Sequence, residues 1–147
     1  MSNTVKSLNT TLTSKKIIHH VWVICSSNKV FIFPTSSKND IHLSNLTITT
    51  SKNPSDLSRL IEMNFGILCS LSDLERIYQF EEDKKIYTGY ILNLNLVGEL
   101  KDFVTERTGG SFYSLDDIEL ILKNHLSLPS RESLLLLMDY LHTRDFK

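Results

Sequence analysis

The stretch Asn45–Ile67, NLTITTSKNPSDLSRLIEMNFGI, joins an extended run, a punctuated loop and a capped helix, and its reading decides the fold. Asn53 has the side chain of an N-cap. Pro54 follows where a first helical residue needs no N–H, and Asp56 sits where a carboxylate can reach back to the cap. Gly66 supplies the stop signal. Between these marks Leu57, Ile61 and Phe65 recur at four-residue spacing, with Leu60 beside them, so the segment reads as an amphipathic helix with one core-facing stripe.

Upstream, Ile17–Ile24 and Lys29–Phe33 are dense in β-branched and aromatic residues around Ser26-Ser27-Asn28, which predicts a β-hairpin. Pro34–Asp40 reads as a loop and Ile41–Thr50 as extended chain. Adjacent His19 and His20 would point to opposite faces of a strand, so they cannot jointly hold one metal. Downstream, Ile67–Leu71 is strand-like. Leu74–Glu82 alternates Leu74, Arg76, Tyr78 and Phe80 against Glu75, Ile77 and Gln79. After an Asp83-Lys84 turn, Lys85–Val97 reads as one long central strand. Glu99–Thr108 is a polar connector ending in a Gly109-Gly110 turn, and a short Ser111–Tyr113 strand follows. Ser114 and Asp117 cap a helix that should turn Leu115, Ile118, Ile121 and Leu122 inward. Leu128-Pro129-Ser130 breaks that helix. A last one, from Arg131 to about Leu141, is apolar almost all round and so is buried or shared with a partner, a homodimer included.

The 147 residues suit one domain, 17–147, preceded by a loose tail, Met1–Lys16, rich in Ser, Thr, Asn and Lys. Hydrophobic residues make up 41% and charged residues 22%, the balance of a globular chain rather than a disordered one. The net charge of -1 removes the broad basic footprint of a strong nucleic-acid binder. Cys25 and Cys69 lie far apart with no Cys or His cluster around them, so reduced thiols are expected rather than a zinc site. The tail lacks the apolar core of a secretory signal, and no apolar run approaches the ~18 residues of a membrane span. The expectation is a cytoplasmic protein that does not enter a membrane.

Taken together, the order of elements and Asn45–Ile67 resemble the Nudix family, over roughly Ile17–Leu141. The family's box reads G-x5-E-x7-R-E-U-x-E-E-x-G-U, with U aliphatic, and lies between strands of an α/β/α sandwich with a mixed sheet. Laid on this chain without gaps, the box matches at Arg59, Ile61, Gly66 and Ile67. Its opening glycine falls on Asn45, its early glutamate on Ser51, and its three helical glutamates on Leu60, Met63 and Asn64. The flanks agree: FYSLDDI and LPSRESLLLLMDYL are similar to the C-terminal part of such domains.

The substitutions decide what the resemblance implies. In the family, glutamates three and four apart on the helix hold Mg²⁺ against a diphosphate, so that a water can attack phosphorus. Alkyl and thioether groups cannot replace those oxygens, and one amide oxygen at Asn64 is a poor remnant. Glu62 projects about 160° away from the Leu60 position. The resemblance therefore implies a catalytically inactive Nudix-like domain with no cofactor. It would bind a nucleotide-like small molecule or a protein partner, with Arg59 as one candidate ligand contact. Two alternatives stay open. A pyrophosphohydrolase with displaced metal ligands would recruit Mg²⁺ through acids such as Glu75 or Glu99. An RNA-binding module would stack bases on Trp22, Phe33, Tyr87 or Tyr90, of which Trp22 and Tyr90 are the ligand-contact candidates. Neither a G-x-S-x-G elbow nor a phosphate-binding glycine loop is present.

Overall fold

The computed structural model describes residues 16–34, 46–97, 101–122 and 128–145. Among these, six strands form one mixed sheet: β1 (Lys16–Cys25), β2 (Lys29–Ile32), β3 (Ile48–Thr50), β4 (Leu74–Glu82), β5 (Lys85–Asn93) and β6 (Ser111–Tyr113). Helices α1 (Asp56–Phe65), α2 (Lys101–Thr108), α3 (Leu115–Leu122) and α4 (Leu128–Asp145) flank it.

β1 is the hub. It pairs in parallel with β5 along its whole upper length, from Lys16↔Lys85 to Ile24↔Asn93, and β4 closes that side as an antiparallel hairpin partner of β5. Its other edge is divided. β2 pairs antiparallel with Ile24 and Cys25, whereas β3 pairs antiparallel with His19, His20 and Val21. On its far side β2 pairs antiparallel with β6, and just beyond its end the Phe33 N–H donates to the Leu46 carbonyl at 3.1 Å, ahead of β3.

Alternation along the strands sorts the core into two layers. Trp22, Ile24, Val30, Ile32, Tyr87 and Ile91 face α3 and α4, meeting Ile118, Leu134, Leu137, Met138 and Leu141. Val21, Val23, Phe31 and Leu92 face α1 and α2, meeting Leu57, Ile61, Phe65 and Val104. The architecture is the expected α/β/α arrangement around a mixed sheet.

α1 ends where its sequence signal places the stop but starts later than expected: its N-cap is Ser55, with no side-chain cap bond, rather than Asn53, and Pro54 lies before the helix. Asn53 Oδ1 accepts the Ser55 N–H at 3.1 Å, and the Asn53 N–H donates to Asp56 Oδ2 at 3.3 Å. Short i→i+3 bonds from Asn53 and Pro54 delay the regular helix to Asp56. Gly66 ends it in the left-handed region at φ 71°, its N–H on the Glu62 carbonyl. Ser114 and Asp117 likewise cap α3 reciprocally. The Asp83-Lys84 turn has both residues at positive φ, 52° and 63°, the hairpin turn that matches strand twist.

Several expectations need correction. Ile67–Leu71 pairs with no described strand: Ile67 is buried, Leu68 is exposed, and a single 3-10 turn over Leu71–Asp73 leads into β4. β5 ends at Asn93 rather than Val97, because Asn93 Oδ1 accepts the Asn95 N–H at 3.0 Å and turns Leu94–Val97 into one helical turn. As expected of a central strand, β5 is flanked on both sides, by β4 and β1. The polar 101–108 segment is helix, not connector. Val104 anchors it, and Asp102 and Arg107 lie in the turns where the helix dipole favours them.

Leu128-Pro129-Ser130 belongs to the first turn of α4, where a proline costs no helical hydrogen bond. The apolar run of α4 is one-sided in use: Ser130, Ser133, Leu134, Leu137, Met138 and Leu141 are buried within the chain, while Leu135 is exposed. The expected tail Met1–Lys16 lies outside the described residues except for Lys16, as do residues 35–45 of the expected loop and extended run and the side chains of Ile121 and Leu122; of that run's described part only Ile48–Thr50 is strand, Leu46 and Thr47 being helical and bent.

The alternation expected in β4 is interrupted by a bulge between Arg76 and Tyr78. Leu74 and Arg76 pair with Leu92 and Tyr90 on the α1 face, but Tyr78 and Phe80 pair with Gly89 and Tyr87 on the α4 face. The extra residue switches faces and brings the Tyr78 ring over Gly89, where a Cβ would lie 2.1 Å from the ring carbon Cζ. Trp22 Nε1 donates to the Tyr78 hydroxyl at 2.7 Å, and the same hydroxyl bonds His20 Nε2. Burial, with a smaller contribution from His19, pushes the His20 pKa down to about 3, so its imidazole is neutral. Burial raises the Tyr78 phenol well above its usual range.

Candidate functional site

Beside the end of β2, β3 and α1 lies a groove of about 440 Å³. Phe33 and Pro34, at the end of β2, form one wall, and Thr47, Ile48 and Thr49 of the β3 segment form its floor. Leu60 and Asn64 of α1 close the second wall with Thr108 at the end of α2. α1 roofs it because the Leu57, Ile61 and Phe65 stripe fixes the helix rotation over the sheet.

The degenerate box positions separate around that rotation. Leu60 and Asn64, four apart and therefore on one side of the helix, both reach the groove. Asn64 Nδ2 donates to the Leu60 carbonyl at 2.8 Å. Met63 projects outward and is 62% exposed. Arg59 is also outside, its guanidinium 3.8 Å from Asp56 Oδ1 in a solvated pair that contributes little. Ser51 is exposed just beyond β3, and Asn45 lies outside the described residues.

The aromatic candidates do not form one platform. Trp22 is fully buried on the α4 face, its N–H committed to Tyr78, so its ring is unavailable to a ligand and that expectation is corrected. Tyr87 is buried on the same face, stacked on Phe80. Tyr90 is half-buried on the α1 face but beside His19 rather than in the groove; its hydroxyl lies 3.3 Å from His19 Nδ1, and burial raises its pKa while lowering that of His19. Phe33 alone of the four lines the groove, with its ring stacked on Phe65 at 5.5 Å.

Of the acids considered as displaced ligands, Glu75 is exposed on β4 and Glu99 lies outside the described residues. Among the described residues no three His, Cys, Asp or Glu side chains gather as a metal-ligand group. No helix among them is long and apolar enough to cross a membrane.

Three features of the site were missed from sequence. Thr47 and Thr49 carried a usable signal, since hydroxyls two apart on extended chain share a face. Thr108 carried none, because its segment was read as connector. Arg107 was also unannounced: its Nη2 donates to the Met63 carbonyl at 3.3 Å, tying α2 to the C-terminal end of α1, where a cation suits the helix dipole.

No family model and no curated protein matches the chain. Among solved structures, the chain is similar to the E. coli ORF135 protein, with a TM-score of 0.47 and 16% identity over 89% of this chain and 92% of that one. It is also similar to a proposed oxidoreductase from Sinorhizobium meliloti 1021, with a TM-score of 0.45 and 11% identity over 91% of this chain but only 44% of that one. At these values neither likeness bears on function.

Proposed function

We propose that the chain is a catalytically silent Nudix-like domain whose groove beside α1 is a small-molecule binding site. One observation carries the reading: the two box positions that face the groove are Leu60 and Asn64, where metal-dependent hydrolysis would need carboxylates. The Asn64 amide donates Nδ2–H to the Leu60 carbonyl and keeps Oδ1, one neutral oxygen where the metal would need several carboxylates. A groove of this volume is within the range of sites that enclose small ligands. Cys25 and Cys69 are not in a disulfide, which suits a reducing compartment, and a cytoplasmic site of action belongs to the same proposal.

The test is a panel of nucleoside diphosphate derivatives incubated with the full chain and Mg²⁺. The expected result is no turnover above background for wild type and for Leu60→Ala or Asn64→Leu alike. Turnover that disappears in those two variants would overturn the proposal and restore a hydrolase.

A further inference from the structure

On the α1 face the sheet changes character along β1 and β5. Val21, Val23 and Leu92 belong to the apolar layer beneath α1. Further down the strands the cross-strand partners turn polar: Arg76 stands opposite Tyr90, and Gln79, Thr88, His19 and Thr50 follow in a row across β4, β5, β1 and β3. Directly paired residues share a face of a sheet, so all of them project to the α1 side. Thr88 and His19 are only 3% and 8% exposed, while Arg76 and Gln79 are open to solvent and Tyr90 and Thr50 lie between. The centre of the row is sheltered and its rim is open. Polar groups sheltered on central strands are costly unless they are hydrogen-bonded.

These side chains share one capacity, the donation of protons. Arg76 and the Gln79 amide carry N–H groups, and Thr88 carries an O–H. Thr50 Oγ1 accepts the Lys52 N–H at 3.2 Å and so keeps its own proton. Tyr90 Oη and His19 Nδ1 lie 3.3 Å apart and share one proton. Burial lowers the His19 pKa, so its neutral imidazole brings one N–H, and the pair has one further N–H or O–H to give. Burial raises the Tyr90 pKa and the Arg76 charge opposes that rise, which puts the guanidinium within electrostatic reach of the hydroxyl. Glu81, an acid on the same face, stands opposite Ile86, one row further from Arg76 than Gln79.

We infer that this part of the sheet is a second binding site, for a tetrahedral oxyanion of the phosphate monoester class, with Arg76 carrying the charge and Tyr90, His19 and Thr88 donating to its oxygens. It goes beyond the groove, with which it shares no residue. A phosphate dianion only accepts hydrogen bonds, so a row of donors meets it without mismatch. The guanidinium fork engages two oxygens at once and leaves the others for the neighbouring hydroxyls. A carboxylate has only two oxygens and satisfies fewer of these donors.

The experiment is an NMR titration of the ¹⁵N-labelled full chain with inorganic phosphate and phenyl phosphate, set against acetate, at constant pH and ionic strength. Both phosphates are expected to give saturable shifts at Arg76, Thr88, Tyr90 and the His19 ring. Acetate should bind at least about tenfold more weakly, since it leaves donors unmatched. Arg76 is exposed on an edge strand, so Arg76→Gln should keep the fold and the spectrum elsewhere while weakening phosphate by at least about tenfold, the loss of a charge-assisted hydrogen bond. Tyr90→Phe should weaken it less, because a neutral donor is lost. Phosphate that gives no saturable shift at these residues, or that binds Arg76→Gln as tightly as wild type, would overturn the site. Acetate binding as tightly as phosphate would overturn the ligand class.

Discussion

The two faces of the sheet use polar side chains in opposite ways. On the α4 face, His20, Trp22 and Tyr78 are enclosed; the Tyr78 hydroxyl bonds both His20 Nε2 and Trp22 Nε1, while His20 Nδ1 is buried without a hydrogen-bond partner among the described residues. On the α1 face, Thr47, Thr49, Thr108 and Asn64 bond inward to the backbone and turn their remaining capacity toward an open groove. On the closed face no water can replace a lost partner, so breaking the bonds that Tyr78 makes would strand further polar atoms beside His20 Nδ1. The open face can leave capacity unmatched, since solvent or a ligand completes it. Substitutions should therefore affect stability on the first face and binding on the second.

The sharpest way to break this contrast is Gly89→Ala. The new Cβ would meet the Tyr78 ring well inside contact distance, and the ring is held by Trp22 and His20. A loss of about 3 kcal/mol, at the upper end for overpacking, is expected in chemical denaturation. A loss below about 0.5 kcal/mol would mean that the closed face yields as readily as a surface.

Acid should expose the same face next. The His20 pKa falls from 6.5 in the unfolded chain to about 3 in the folded one, so the unfolded state takes up the proton first as pH drops. This contribution is fully present above pH 6.5 and is lost as pH falls from there toward about 3. The loss approaches about 1.4 kcal/mol per pH unit, and equilibrium unfolding between pH 7 and pH 5 should resolve it. A His20→Phe chain should lack that component of the slope, whatever its stability at pH 7. An unchanged slope would place the acid sensitivity elsewhere.

The smallest effects belong to the open face. Asn64→Leu and Arg59→Ala should each change unfolding free energy by no more than about 0.5 kcal/mol, as for surface positions with no buried partner. A larger loss for Asn64→Leu would make that residue structural and blur the distinction between the faces.

The legible parts of the fold were those whose causes lie within a few residues. Gly66 ended α1, Ser114 and Asp117 started α3, and Asp83-Lys84 turned the β4–β5 hairpin, whereas the cap of α1 fell two residues after the expected Asn53. Elements that depended on a competing local bond or on distant packing were misread. Asn93 had the side chain to break β5, but the apolar alternation through Leu96 outweighed it. The bulge at Ile77 left no periodic trace that separates it from an ordinary mixed strand. The 101–108 helix buries one described side chain, Val104, so it had no stripe to display. At the site, Leu60 and Asn64 could be identified by position on the helix. Their convergence with Phe33 and the Thr47–Thr49 run could not, because it depends on β2 and β3 dividing one edge of β1.

By itself the sequence determined a helix stopped at Gly66, its buried stripe, and the apolar and amide character of Leu60, Met63 and Asn64. These follow from side-chain chemistry and a fixed helical period. Only the tertiary structure decided that Met63 faces solvent while Leu60 and Asn64 face a groove, and that Trp22 and Tyr78 belong to a sealed polar layer on the opposite face. Those outcomes rest on the parallel pairing of β1 with β5, across more than sixty residues of chain. No short-range signal encodes such a contact, since its closure entropy is offset only when the whole core assembles.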